Sequence, residues 1–138
     1  MVEQSFNIIS DYGNVAGVNK QIRLFLEQHG IEQHISNAVE ICLTEALNNV
    51  IKHSYKGDHT KSIDIIVKKD SNYFEILILD KGLARENFVI TELDFNPKDI
   101  NNLPESGMGL YIIKQLVDEL NYYSKDGINY FSLKKWLI

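Results

Sequence analysis

Cysteine occurs once in the 138 residues, at Cys42, so no disulfide can form within the chain. Its place on the apolar side of a helical pattern makes it a small core side chain, and its scarcity fits a reducing compartment. Proline occurs twice, at Pro97 and Pro104, both in one aperiodic stretch. No apolar run approaches the roughly 20 residues a bilayer-crossing helix needs. The opening Met1-Val-Glu-Gln-Ser-Phe6 lacks the basic and apolar regions of a secretory signal, and a cytoplasmic protein is expected. Basic residues are in deficit, 14 Lys and Arg against 19 Asp and Glu, for a net charge of −5. That balance disfavours non-specific binding to nucleic acid or to an anionic membrane. Neither paired histidines nor clustered carboxylates give the spacing of a zinc site. What is present, 44% hydrophobic and 24% charged residues, suits one globular domain over residues 1–138.

The hydrophobic pattern predicts an α+β order. Residues 5–10 read as a first strand. Asn14 caps a helix to about Gln28 with Val15, Val18, Ile22, Phe25 and Leu26 inward, and Gly30 stops it. A long helix is expected over 32–55. Residues 62–69 and 73–79 read as strands joined by a turn at 70–72, with Asn72 in the left-handed conformation. An aperiodic loop, about 80–106, is long enough to suggest function. A helix over 107–120, with Leu110, Ile113, Leu116 and Val117 inward, precedes strands at 121–124 and 129–137 flanking Asp126-Gly127. Tight turns between neighbours imply a mixed, mostly antiparallel sheet with helices on one face, a two-layer α/β sandwich.

Three segments carry chemistry. On the long helix, Glu45, Asn48, Asn49, Lys52 and His53 form one stripe, opposite Cys42, Leu43, Ala46, Leu47, Val50 and Ile51. Two adjacent asparagines are poor helix formers, costing roughly 0.5 kcal/mol each against Ala, which is odd for a merely solvated face. An Asn oxygen suits Mg²⁺, and a Glu one turn away can deprotonate a hydroxyl beside a phosphate. The second segment, Asp80-Lys-Gly-Leu-Ala84, ends an apolar strand, where a carboxylate needs a partner. A carboxylate only accepts hydrogen bonds, so it suits the exocyclic amine of adenine and repels the O6 of guanine. Gly82 would let a base lie near the backbone. In the third, Glu105-Ser-Gly-Met-Gly-Leu110, glycines meet a helix start, where free N–H groups attract anions.

Taken together, Glu45-Ala-x-x-Asn49-x-x-x-His53, Asp80-x-Gly82 and Gly107-x-Gly109-Leu110 resemble the N, G1 and G2 boxes of the Bergerat-fold ATPases. Nearly the whole chain is similar to the stand-alone serine/threonine kinases that act as anti-sigma factors, through the two spaced prolines and the run Gly109-Leu-Tyr-Ile-Ile-Lys-Gln-Leu-Val-Asp-Glu119. The resemblance implies MgATP as cofactor, with Glu45 as general base and Asn49 on Mg²⁺. Asp80 would read the adenine amine beside Gly82, with Asn48 and His53 supporting the site. Gly107, Met108, Gly109 and Leu110 would form the lid and its anchor. Ala84 stands where members often carry a second glycine, and Lys98 is the candidate basic lid residue.

The implied activity is phosphorylation of a small anti-sigma-factor antagonist, with a sigma factor or a second copy of the chain as further partners. A second reading is a nucleotide-switched regulator that binds its partner without phosphorylating it. A third is a slow regulatory ATPase.

Overall fold

Alternation in two central strands decides the layering. In the computed structural model, which describes residues 1–84 and 114–137, β2 spans Ser62–Lys69 and β3 spans Tyr73–Asp80. Ile63, Ile65 and Val67 of the one, and Phe74, Ile76 and Ile78 of the other, are fully buried. Side chains two apart share a face, so these six line one side of the sheet. β1 (Val2–Ile9) pairs with the whole of β2, from Val2 opposite Lys69 to Ile9 opposite Ser62. It therefore starts earlier than residue 5. At the other side, β5 (Ile128–Trp136) pairs with β3, and β4 (Glu119–Lys125) forms the edge. The order is β1-β2-β3-β5-β4, and every adjacent pair is antiparallel.

Two helices cover the apolar face. α1 (Val15–Gln28) buries Val15, Val18, Ile22, Phe25 and Leu26, the five positions its periodicity selects. Ile22 and Leu26 are wholly buried, each contributing about 1.5–3 kcal/mol. Gly30, with φ +90, ends the helix as expected. Asn14 sits at the cap position, but its side-chain amide donates to the Ile9 carbonyl (3.0 Å) instead of capping. α2 (Gln33–Asn49) buries Val39, Cys42, Leu43, Ala46 and Leu47. The Arg23 guanidinium meets Glu40 at 2.8 Å, and the Ser36 hydroxyl donates to Glu27 at 2.8 Å, fastening the helix pair along its rim. Among the described residues no helix is long and apolar enough to cross a membrane.

Three local expectations change. The long helix is α-helical only to Asn49; Val50–Ser54 form a wider π turn, closed by the Tyr55 N–H donating to the Val50 carbonyl at 3.0 Å. The expected helix over 107–120 is helical at 114–116, but Glu119 and Leu120 already belong to β4. There the pairing of Glu119 with Lys134 and of Leu120 with Leu133 outweighs helical periodicity. Residues 107–113 lie outside the described residues, as do Pro97, Lys98 and Pro104. Asn72 is not left-handed. The Asp70 carboxylate instead accepts from the Asn72 and Tyr73 N–H groups (2.7 and 3.1 Å), closing the turn without positive φ. At Asp126-Gly127 both φ values are positive, 53 and 77, as a two-residue hairpin requires.

Candidate functional site

Asp80 closes β3 in the phase of Phe74, Ile76 and Ile78, so its side chain points into the helix-covered layer. It is only 4% exposed. Register places Asn129 of β5 directly opposite, and Ser124 of β4 opposite Asn129. A polar line results at the end of the sheet. The Ser124 hydroxyl donates to Asn129 Oδ1 (2.6 Å), and Asn129 Nδ2 donates to Asp80 Oδ1 (2.8 Å). The Gly82 N–H also donates to Asp80 Oδ1, at 2.9 Å. Burial, the largest influence, raises the Asp80 pKa above its ordinary value, while the bonds from Asn129 and Gly82 act against that rise.

The chain after Asp80 is held against the end of α2. The Ser54 carbonyl, left free where the helix ends, accepts from the Leu83 N–H at 2.8 Å. A Cβ on Gly82 would sit 2.6 Å from the Ser54 carbonyl carbon, so a side chain there would force the two segments apart. What the glycine makes room for is therefore the Ser54 backbone. Tyr55 completes the junction. Its hydroxyl donates to the Ser62 carbonyl (2.6 Å) and accepts from the Lys81 N–H (2.9 Å), tying α2, β2 and β3 together. Burial leads in raising the Tyr55 pKa, with Asp80 and Asp64 adding to the rise and the Lys81 N–H opposing it.

A cavity of about 550 Å³, large enough for a small molecule, opens beside this junction. Its walls include Tyr55, Ser62, Asp64, Leu79, Asp80 and Gly82. The chain beyond α2 reaches it through Ser54, Tyr55 and Lys56. Glu45, Asn48 and Asn49 stand half-buried on the helix and are not among its described lining, and Lys52 and His53 are exposed. Glu45 and Asn49 are one turn apart on one face. Among the described residues no group of three or more His, Cys, Asp or Glu could hold a metal ion. Burial, followed by the charge of Glu45, pushes the Cys42 thiol far up, which fits an unreactive core residue. Ala84 is exposed, and Gly107, Met108, Gly109 and Leu110 lie outside the described residues.

The profile of the family described as "Histidine kinase-like ATPase domain" matches residues 8–135. The chain belongs to that family. Among relatives of this histidine kinase-like ATPase domain, the "Serine-protein kinase RsbW" of Bacillus mycoides is 32% identical over 100 residues. A Bacillus cereus protein of the same name is 31% identical over 100 residues. Each match covers 70% of this chain and 61% of the relative, so the chain spans about three fifths of the kinases it matches. In fold, the domain matches the structure of the RsbU and RsbW domains of Rv1364c from Mycobacterium tuberculosis with a TM-score of 0.68 at 14% identity, covering 98% of this chain and 32% of that one. It also matches a chain of the SiaB-SiaC complex from Pseudomonas aeruginosa, with a TM-score of 0.60 at 16% identity, covering 97% and 88%. Both share the α+β arrangement described above.

For this ATPase domain, the sequence reading selected Asp80 and Gly82 but missed Asn129, Ser124 and Tyr55. Asn129 carries a faint signal, an amide in the phase of the buried Phe131 and Leu133 of β5. Its partner becomes visible only through strand register.

Proposed function

We propose that the protein is a cytoplasmic MgATP-dependent protein-serine/threonine kinase, acting as an anti-sigma factor that phosphorylates a small antagonist protein. Residues 1–138 would form its single ATPase domain. One observation carries the nucleotide reading. Asp80 is a buried carboxylate on a cavity wall, and its protein donors both converge on Oδ1 among the described residues. The other oxygen suits the adenine amine, while guanine would bring a second acceptor against it. The kinase names of the Bacillus relatives support the reaction class.

When bound, MgATP supplies the transferable phosphoryl group. Asn49 would hold the metal. Glu45 would take the proton of the attacking Ser or Thr hydroxyl as its oxygen displaces ADP from the phosphoryl group. Asp80 would select the base, and Gly107 and Gly109, which lie outside the described residues, would serve the phosphates as the family resemblance implies. Ala84, in place of a second glycine, favours a second reading in which nucleotide binding switches partner affinity without transfer.

Phosphate transfer to the cognate antagonist separates the two, and Glu45→Ala tests the base. The variant is expected to bind MgATP like wild type while transfer to the antagonist falls at least about a hundredfold in a single-turnover assay, the scale of general-base loss. Unchanged transfer would remove Glu45 from its assigned role. Absence of transfer by wild type to a cognate antagonist that it binds would favour the switch.

A further inference from the structure

Asn129 is 2% exposed and lies between two polar residues on neighbouring strands. Its amide can be oriented in only one way. Asp80 Oδ1 and the Gly82 carbonyl both accept, so the NH₂ must face them, at 2.8 and 3.0 Å. The oxygen then faces the Ser124 hydroxyl, which donates to it at 2.6 Å. Three bonds thus lock the amide, and the amide locks Asp80. A carboxylate rotates readily about its last torsion; the Asn129 amide joins the Gly82 N–H in holding Oδ1, which leaves the opposite oxygen to a ligand.

We infer that Asn129 is the positioning residue for base recognition: its amide, with the Gly82 N–H, holds Asp80 Oδ1 and commits the opposite oxygen to the exocyclic amine of a purine. The inference rests on the adenine reading of Asp80 and adds the device that enforces it. Asn129 spans Asp80 and the Gly82 carbonyl, so it also holds the turn that forms the cavity wall. Ser124, a strand further out, sets the amide without touching Asp80. An uncharged amide is suited to this work because it donates at every pH. A histidine or a second carboxylate here would titrate against Asp80.

The test compares ATP with purine riboside 5′-triphosphate, which lacks only the exocyclic amine. Calorimetric titrations would use wild type, Asn129→Leu and Ser124→Ala, each shown by circular dichroism to be folded. Wild type is expected to prefer ATP by about tenfold or more, as for a hydrogen bond to a charged group. In Asn129→Leu that preference should fall towards one, because binding of ATP weakens more than binding of the analogue. Ser124→Ala should give an intermediate ratio, and it carries the test if Asn129→Leu does not fold. A merely structural role would weaken both nucleotides alike and leave the ratio intact, which would overturn the inference while sparing the adenine reading. A wild-type ratio near one would overturn the adenine reading, and the inference with it.

Discussion

At the scale of single residues, Asp80 is buried at a cost to folding. Burial dominates its environment and raises its pKa, so the folded protein holds this proton more tightly than the unfolded chain does. Its contribution to stability is therefore fullest below the ordinary carboxylate pKa and is lost as pH rises through the raised value. At neutral pH the ionised group is the less favourable one to bury. Asp80→Asn keeps an oxygen to accept from Asn129 and Gly82 and removes the charge. Denaturant unfolding at pH 7 is expected to find the variant at least as stable as wild type. Its advantage should shrink on acidification toward about pH 4, as the wild-type acid protonates. A variant clearly less stable at pH 7 would show that the charge is stabilised by more than its two donors.

At the scale of elements, the junction between α2 and the end of β3 matters most. The π turn at Val50–Ser54 ends the helix where the Ser54 carbonyl can take the Leu83 N–H. Gly82 allows that approach. Gly82→Ala would place its Cβ 2.9 Å from Ser54 Cβ and closer still to the carbonyl group, so either the turn or the helix end must move. An expected loss of about 1–3 kcal/mol, read by denaturant unfolding, follows from overpacking. Gly17→Ala is the contrast. A Cβ there meets nothing within 4 Å, and the site lies within α1, so the substitution should gain up to about 1 kcal/mol. Equal effects at the two glycines would contradict the close-approach account.

Legibility in the sequence followed the range of the interactions. β2 appears with the bounds its pattern indicates, α1 buries its five selected positions, and Asp126-Gly127 makes its hairpin, all through local periodicity or turn chemistry. The π turn has no propensity signature, and the straight stripe drawn from Glu45 to His53 missed it. Asn129, Ser124 and Tyr55 were missed for another reason. Each matters through a bond to a residue on another element, such as the 49 positions between Asp80 and Asn129, and only register brings these together.

At the scale of the whole molecule, sheet order does the assembling. With β5 inserted between β3 and β4, the end of the central strand meets Asn129 on one side, while Tyr55 reaches it from the end of α2. Helices cover one face, and the cavity opens at the sheet end where these elements meet. The family match over residues 8–135 takes in all of these parts. The most direct measurement of the central claim is calorimetric titration of the folded protein with MgATP, with MgGTP as comparison and Asp80→Asn as control. The account predicts that ATP binds, that GTP binds at least about tenfold more weakly, and that the variant loses the difference. Equal affinity for the two nucleotides, or an Asp80→Asn variant that still discriminates between them, would contradict it.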